Sequence, residues 1–378
     1  MPLFASPNPV DADRWIAATY RVRSAADAID ARAQAIALEQ SIEAPLAAVD
    51  DARVLREVVA RVAGIVPIAP DTFDVTIHLA VETTGFEAGQ LLNMLFGNTS
   101  LHEDVTLVDA EFPASFVAHF GGPRFGIAGI RELTRAHGRT LTCSALKPQG
   151  LPPSQLAAIA GTFARAGVDV VKDDHGLADQ AAAPFGERVP AVQRAVDEAN
   201  RETGGGCVYA PSLTGHYGQL RAQLAEARDA GVRMVLVAPM VSGVGSLAAL
   251  AQDGGLPIVA HPALAGAARI APPLLLGKLF RLFGADATIF PNAGGRFSWA
   301  IETGHSIADA ARAPWHGLAP TLPVPAGGMT VARVPEMRER YGEDTMLLIG
   351  GSLLAAGAAL PQRAREFVVA VRGFGATP

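Results

Sequence analysis

The sequence predicts an α/β protein in which a C-terminal (β/α)8 barrel follows a smaller N-terminal α+β domain. Three observations carry this prediction. After residue 138, eight short apolar runs recur, each followed by glycine, by proline or by polar residues. Before residue 113, alternating segments and helix-spaced segments follow one another without a regular order. The 378 residues are enough for two domains of ordinary size.

The N-terminal segments differ in their hydrophobic period. Alternation of apolar and polar residues is typical of half-buried strands, whereas apolar residues three and four apart are typical of helices. The patterns predict strands over 15–23, 74–81 and 106–112 and helices over 25–40 and 86–96. Glycines and prolines between residues 112 and 124 predict a boundary. We therefore expect residues 1–120 to form the first domain and residues 121–378 the second.

The eight C-terminal runs are nearly continuous in valine, isoleucine, leucine and alanine. Strands covered on both faces require this composition. Eight is also the number of strands that closes a parallel sheet into a barrel. An open, doubly wound sheet is the rival interpretation. The predicted strands lie at 141–146, 168–171, 207–210, 234–238, 257–260, 287–290, 322–325 and 346–349.

Composition narrows the class of protein. The net charge of −6 argues against a general binder of nucleic acid or membrane surfaces, which would show a basic stripe. The two cysteines, Cys143 and Cys207, both fall in predicted strands, so we expect neither a disulfide framework nor a cysteine zinc site. The first residues lack an apolar signal core, and no long apolar span stands out. We expect a cytoplasmic protein.

Chemistry in such barrels gathers where the strands end. The second strand ends in residues 172–175, Lys-Asp-Asp-His. Alternation places Lys172 and Asp174 on the same side. Lys172 could act as a base, or as a carbamate formed with CO₂ whose oxygens, with Asp174, would suit Mg²⁺. A structural ion pair is the alternative.

Other strand ends add candidate residues. Lys147 follows the first strand and could serve as a general acid–base, or lie idle on the surface. His261 ends the fifth strand and could contact a substrate or cap the strand. Two glycine pairs end strands seven and eight, where barrel enzymes often bind phosphate, although ordinary turns also use such pairs. These are Gly327, Gly328, Gly350 and Gly351. The loop from Asn292 to Arg296 is either a cover over an anion or a plain loop.

These motifs resemble the RuBisCO large-chain superfamily. The resemblance lies in Gly-Gly-Pro-Arg-Phe-Gly-Ile at 121–127, Lys-Pro at 147–148, Lys-Asp-Asp at 172–174 and Pro-Ala-Gly-Gly-Met at 325–329. Glu39 and Asn93 resemble the acidic and amide active-site residues of the N-terminal domain. The motifs occur in the right order over nearly the whole chain.

Departures from the family pattern indicate the subfamily. His175 stands where a carboxylase has the metal-binding glutamate, and Gln149 stands where it has the second lysine of Lys-Pro-Lys. The lysine of the mobile strand-six loop is missing, with Arg296 nearest, and Pro262 replaces the arginine after the strand-five histidine. The groups that would clamp a second phosphate and the added CO₂ are depleted. The chain thus resembles a RuBisCO-like protein (form IV), not a carboxylase.

The resemblance implies an enolising enzyme that acts on a ketose phosphate through a metal-stabilised enediolate. An isomerase, for example of 5-methylthioribulose 1-phosphate in methionine salvage, is the leading expectation. A decarboxylase (lyase) of an oxo-sugar-acid phosphate such as 3-oxo-isoapionate 4-phosphate is the first alternative, and a non-catalytic sugar-phosphate-binding barrel the second. The salvage enolase branch carries a lysine where Asn93 stands, which disfavours that assignment.

The resemblance also implies roles for the residues. Lys172 as carbamate, Asp174 and His175 would hold Mg²⁺, Lys147 would be the acid–base, and His261 would orient the substrate. The glycine pairs, with Asn292 and Arg296, would bind substrate and its phosphate. In the homodimer expected for this family, Glu39 and Asn93 would reach the barrel of the partner subunit.

Overall fold

A computed structural model describes residues 13–297 and 299–373 of the chain. It divides into two compact units. The first runs to Gly121 and also takes in Leu264–Leu275 and Trp315–Leu318. The second holds the remaining described residues, beginning at Gly122. No helix in the described part of the chain is long and apolar enough to cross a membrane.

The first unit is built on a four-stranded antiparallel sheet in the order β2-β3-β1-β4. Its strands are β1 Trp15–Arg23, β2 Arg61–Ala69, β3 Thr72–Ala80 and β4 Val105–Glu111, and its helices are α1 Ile29–Glu39, α2 Ala52–Glu57, α3 Ala88–Phe96 and α4 Ala114–Phe120. The three predicted strands and both predicted helices are confirmed. Strand β2 was not predicted, because Gly64 and Pro67 interrupt its alternation. It forms at the edge of the sheet, where proline is tolerated.

The second unit contains eight parallel strands. They are β5 Leu141–Leu146, β6 Val170–Asp173, β7 Val208–Ala210, β8 Val235–Val237, β9 Ile258–Ala260, β10 Ala287–Pro291, β11 Leu322–Ala326 and β12 Met346–Leu348. Two ladders, β12-β5-β6-β7 and β8-β9-β10-β11, make up the wall. A parallel bridge between Ser212 and Leu236 joins β7 to β8, and β11 lies beside β12. The sheet is therefore a closed barrel, and the open-sheet interpretation is wrong.

One helix precedes β5 and adds Ile127 and Ile130 to the buried core, and the others follow barrel strands. The helices are α5 Gly126–Thr134, α6 Pro153–Arg165, α7 Phe185–Thr203, α8 Tyr217–Asp229, α9 Pro239–Ser242, α10 Val244–Gly254, α11 Phe280–Leu282, α12 Ile301–Arg312, α13 Val334–Tyr341, α14 Gly351–Leu354 and α15 Leu360–Arg372. A π-helical segment, Pro273–Leu279, leads into α11. Because the strands are covered on both faces, polar positions concentrate at their ends.

Each of the eight barrel strands contributes apolar side chains to one buried cluster. Cys143, Val170, Leu236 and Val324 are among them. Cys143 and Cys207 are both free and buried, which agrees with the expected absence of a disulfide framework. Burial raises the pKa of the Cys143 thiol to about 12, so it stays protonated. The interior is thus a packed core, and polar chemistry is confined to the rim.

Candidate active site

Strands β5 and β6 bring Lys147 beside the 172–175 segment. Their parallel register pairs Ala145 with Lys172 and Leu146 with Asp173, so the next residues of the two strands are neighbours. The Lys147 ammonium donates a hydrogen bond to Asp174 Oδ2 and forms an ion pair with it. Strand pairing therefore brings close two residues that are 27 positions apart in sequence.

Asp174 is a buried carboxylate with both oxygens engaged. Oδ1 accepts a hydrogen bond from the Gly176 N–H at 3.0 Å and lies 3.3 Å from Nδ1 of His175. Its side chain is only 4% exposed, while that of Lys147 is 38% exposed. The carboxylate is thus held rigidly, and the lysine can move from it toward a ligand.

Lys172 is buried at the end of β6, and its Nζ donates to the carbonyl oxygen of Asp173 at 2.8 Å. Burial lowers the pKa of the Lys172 amine to about 8, and the nearby charge of Lys147 adds to this effect. Burial and the charge of Arg296 also lower the pKa of Lys147. Neutral amine is the form that abstracts a proton or reacts with CO₂, and both lysines are displaced toward it.

Asp173 points away from Lys172, as strand alternation requires. It is fully buried and accepts from Tyr209 Oη at 2.8 Å, from the Ser212 N–H at 3.1 Å and from Arg188 Nε at 3.2 Å. Sequence reasoning missed Arg188 and Tyr209. The available signal was the alternation itself, which places Asp173 opposite its two neighbours. The network ties β6 to β7 and α7 and so fixes the position of Lys172 and Asp174.

His175 and His261 lie together although they are 86 positions apart in sequence. Nδ1 of His261 accepts a hydrogen bond from the Ala263 N–H at 3.1 Å, so the neutral ring carries its proton on Nε2. Burial, with Lys172 nearby, lowers the pKa of His261 far below its ordinary value. Burial and the same lysine also lower the pKa of His175. His261 is therefore a neutral donor at physiological pH.

The loop after β10 is anchored by Asn292. Its side chain is buried, with Nδ2 donating to the Ala293 carbonyl at 3.1 Å and Oδ1 accepting from Tyr341 Oη at 2.9 Å. Both polar atoms of the Asn292 side chain therefore make hydrogen bonds within the protein. Arg296 lies close enough for its charge to act on Lys147 and His175. Its guanidinium carbon stands 5.0 Å from the ring centroid of Phe297.

The two glycine pairs lie on neighbouring loops. Gly327 and Gly328 have φ values of 83° and 77°, and a Cβ on Gly328 would stand 2.5 Å from the Arg296 nitrogen. The Arg296 N–H donates to the Gly327 carbonyl at 3.2 Å, which joins this loop to the one after β10. Ser352, missed by sequence reasoning, donates to Met329 O at 2.7 Å and joins it to the start of α14, where Gly350 and Gly351 lie. Exposed backbone at this rim could receive an anion.

Glu39 and Asn93 lie in the first unit. Glu39 accepts from Asn98 Nδ2 at 2.9 Å, and the exposed Asn93 donates to Gln90 Oε1 at 3.3 Å. Buried Gln40, another residue that sequence reasoning missed, donates to the Met94 carbonyl at 2.8 Å and accepts from the Thr99 N–H at 3.1 Å. The segment that carries Asn93 is thus held at its C-terminal side.

The side chains at these strand ends include few ligands for a metal ion. Within residues 13–297 and 299–373, no group of three His, Cys, Asp or Glu side chains could hold one. Asp174 and His175 are two candidate ligands, and Mg²⁺ prefers more oxygens than one carboxylate supplies. The residues therefore fit Mg²⁺ only if Lys172 carries a carbamate, whose oxygens would add to those of Asp174.

Known proteins match the chain over nearly its whole length. The family model of the ribulose bisphosphate carboxylase large chain, catalytic domain, matches residues 126–296. A 5-methylthioribulose-1-phosphate isomerase of Rhodospirillum rubrum is 53% identical over 94% of this chain and 96% of that protein. A 2,3-diketo-5-methylthiopentyl-1-phosphate enolase of Geobacillus kaustophilus is 36% identical over 73% of this chain and 70% of that protein. The crystal structure of a RuBisCO-like protein from Rhodopseudomonas palustris, 50% identical, matches with a TM-score of 0.90 over 97% of this chain and 99% of that chain.

Proposed function

The chain belongs to the RuBisCO large-chain family as a RuBisCO-like protein, and from that premise we propose that it is a ketose-phosphate isomerase. The proposed substrate is 5-methylthioribulose 1-phosphate, which the name of the Rhodospirillum rubrum relative specifies. The observation that carries the proposal is the meeting of Lys147, Asp174 and neutral His261 at the strand ends. This set can move a proton next to a carbonyl without any other reactant.

The reaction needs a base, an acid and stabilised negative charge. A base removes the proton from the carbon beside the ketone, and the C–H electron pair forms a carbon–carbon double bond while the carbonyl electrons move to oxygen. The resulting enediolate takes a proton back on the former carbonyl carbon. The hydroxyl on the neighbouring carbon loses its proton as its oxygen becomes the new carbonyl, and the former carbonyl oxygen takes up a proton to become a hydroxyl. No atom is gained or lost, so an isomerase requires only proton carriers and charge stabilisation.

Lys147 is the proposed proton carrier. Its lowered pKa makes the neutral amine accessible, and its partial exposure lets it leave Asp174 for the substrate. After taking the proton it regains a carboxylate partner, because Asp174 is held in place by Gly176. His261 donates from Nε2 to a carbonyl or hydroxyl oxygen of the substrate. Its imidazole remains a neutral donor because of its burial.

Lys172 as carbamate, Asp174 and His175 are proposed to hold Mg²⁺, which when bound supplies positive charge to the enediolate oxygens. The substrate phosphate is proposed to bind at the glycine pairs after β11 and β12, with Arg296 giving the fixed positive charge. Asn292 holds the Arg296 loop through its bonds to Tyr341 and Ala293. Its proposed share in binding is therefore to position this loop.

A homodimer is proposed as the working unit. Glu39 and Asn93 would then complete the site of the partner subunit. Hydrogen bonds from Gln40 and Asn98 attach their segment to α1. Asn93 itself is exposed in one chain and available to a neighbour.

Proton exchange in D₂O tests the isomerase proposal. Incubation with 5-methylthioribulose 1-phosphate should place deuterium on the carbon beside the carbonyl and yield a second ketose phosphate, both seen by NMR. Lys147→Met should abolish exchange, while Lys278→Met, which changes a lysine of the π-helical segment, should not. Release of CO₂ from an oxo-sugar-acid phosphate without exchange on the thioribulose would indicate the decarboxylase. Binding of both sugars without turnover would indicate the non-catalytic barrel.

A further inference from the structure

A basic cavity of about 320 Å³ lies in the barrel unit away from the residues described above. Three arginines line it, and each precedes a strand. Arg135 ends α5 ahead of β5, Arg201 lies in the last turn of α7 ahead of β7, and Arg233 comes just before β8. The candidate active-site residues follow their strands. The cavity therefore lies at the opposite, N-terminal ends of the barrel strands.

The three guanidinium groups are exposed, and within the described ranges none has a hydrogen bond or ion pair. Other arginines on this side of the unit are paired. Arg139 binds Asp169 at 2.6 Å, and Arg165 binds Glu202 at 2.6 Å. Two acids on this side, Asp169 and Glu202, are thus already paired with other arginines.

Asp197 is the carboxylate in the wall of the cavity, and it accepts a hydrogen bond from Gln193 Nε2 at 2.9 Å. Three arginines against one carboxylate leave a local charge of 3 − 1 = +2. The whole chain has a net charge of −6. Repulsion among cations that outnumber the carboxylate beside them is relieved by an anion, so the charge of the cavity favours binding of one.

Hydrogen bonds and a close backbone contact hold the wall of the cavity in place. The Asn200 side chain makes two hydrogen bonds with the backbone of Cys207: it donates to the carbonyl at 2.8 Å and accepts from the N–H at 2.9 Å. These bonds fix the glycine loop between the two residues. A Cβ on Gly206 would stand 2.8 Å from the Thr134 carbonyl oxygen, so a glycine is needed to bring this loop against the Arg135 segment. The arginines therefore face a preformed concave surface.

We propose that this cavity is a second anion site, which binds the phosphate group of a small molecule. Three planar guanidinium forks match the three peripheral oxygens of a phosphate, and charge-assisted bonds of this kind are the strong ones. A volume near 320 Å³ is at the lower end for small-molecule pockets and admits inorganic phosphate or a small phosphate monoester. The ligand would bind without being turned over, since the cavity contains none of the residues proposed for catalysis.

Equilibrium dialysis with radiolabelled inorganic phosphate, at fixed ionic strength set by chloride, tests the site. The active site should also take up phosphate, so the number bound per chain is compared between variants. The double variant Arg201→Gln/Arg233→Gln should bind one phosphate fewer per chain, or bind it at least about tenfold more weakly. The matched control is Arg194→Gln, which removes an exposed charge from the same helix outside the cavity and should leave both sites intact.

Competition with glycerol 3-phosphate distinguishes the two sources of phosphate. Displacement from the arginine site indicates a monoester, and its absence together with retained phosphate binding indicates free phosphate. Thermal midpoints measured without phosphate should agree among all variants, which shows that the arginines are not needed for folding. Equal phosphate stoichiometry and affinity in the wild type and the double variant would overturn the proposal. Isomerase turnover is not used in this test, so its outcome is independent of the proposed function.

Discussion

The imidazole rings of His175 and His261 are stacked, with centroids 4.0 Å apart and planes 9° from parallel. Two protonated rings at this distance would repel each other, and burial with the charge of Lys172 keeps the pKa of both low. Nδ1 of His175 lies toward Asp174 Oδ1, while Nδ1 of His261 accepts from Ala263. In this arrangement His175 offers a lone pair on Nε2 and His261 offers a proton on Nε2. The stacked pair thus combines an acceptor and a donor.

Replacing His261 by phenylalanine should separate donation from stacking. The phenyl ring keeps an aromatic face against His175 but loses the Nε2–H. We expect kcat to fall by roughly 10²-fold, as for loss of one oxyanion donor, with little change in KM. Steady-state kinetics on the thioribulose phosphate provides the measurement, and urea unfolding serves as the control for fold. Unchanged kcat would remove His261 from the reaction.

Lys172→Ala should abolish turnover and leave the fold intact, because the residue lies at the rim of the barrel. Loss of a ligand and of the metal charge should cost roughly 10³-fold or more in rate. Lys172→Glu should recover only part, since its carboxylate is shorter than a carbamate. Preincubation of the wild type with bicarbonate and Mg²⁺ should raise the rate, and EDTA should lower it.

The rival to the carbamate is an unmodified Lys172 that polarises the substrate as an ammonium ion. In that case neither bicarbonate nor EDTA would change the rate. Mass spectrometry after trapping of the carbamate by methylation distinguishes the two forms of Lys172 directly. A fully active enzyme with an unmodified amine would decide for the rival.

Ribulose 1,5-bisphosphate should not be carboxylated. Gln149 and Pro262 stand where the resemblance expects a lysine and an arginine, and Arg296 stands nearest to the expected loop lysine. The second phosphate and the added CO₂ therefore lack their cationic partners. Incorporation of labelled CO₂ into acid-stable product should stay at background. Incorporation well above background would show that other cations replace the missing ones.

Much of the fold could be predicted because local pattern and burial agree. The run at 141–146 is uncharged, with only Thr142 and Ser144 polar, and it forms β5 over those same residues. Likewise Trp15–Arg23 alternates and forms β1. Strand β2 was hidden because Gly64 and Pro67 break the alternation, although it pairs with β3 as a hairpin across Pro70 and Asp71.

The candidate site was predictable in part for a related reason. The rule that chemistry follows barrel strands points to Lys147, Lys172 and His261 one by one. It does not give the pairing of Lys147 with Asp174 or the stack of His175 on His261, since these depend on strand register and loop path. Gln40 and Arg188 were missed because a buried polar side chain has no sequence signature apart from its partners.

Asp173→Asn should destabilise the protein strongly. Asp173 and Arg188 are both fully buried, so loss of the carboxylate charge leaves the guanidinium uncompensated. We expect a loss of ~3–5 kcal/mol in the free energy of unfolding, measured with urea. The control is Asp309→Asn, which breaks an exposed pair with Arg312 and should cost less than about 1 kcal/mol. Equal losses for the two variants would contradict a supporting role for the Asp173 network.

A mixed dimer tests whether Asn93 acts on the partner subunit. Asn93→Ala and Lys172→Ala should each be inactive as homodimers. In a heterodimer purified by two different tags, one barrel keeps Lys172 and receives an intact Asn93 from the other chain, while the second barrel has both lesions. One of the two sites is thus restored, and about half of the wild-type activity should return because a two-fold symmetric homodimer would have two equivalent sites. A heterodimer of Lys147→Ala with Lys172→Ala provides the control: each barrel then carries one lesion of its own, and no activity should return. If Asn93 served its own chain, the first heterodimer would be as inactive as this control.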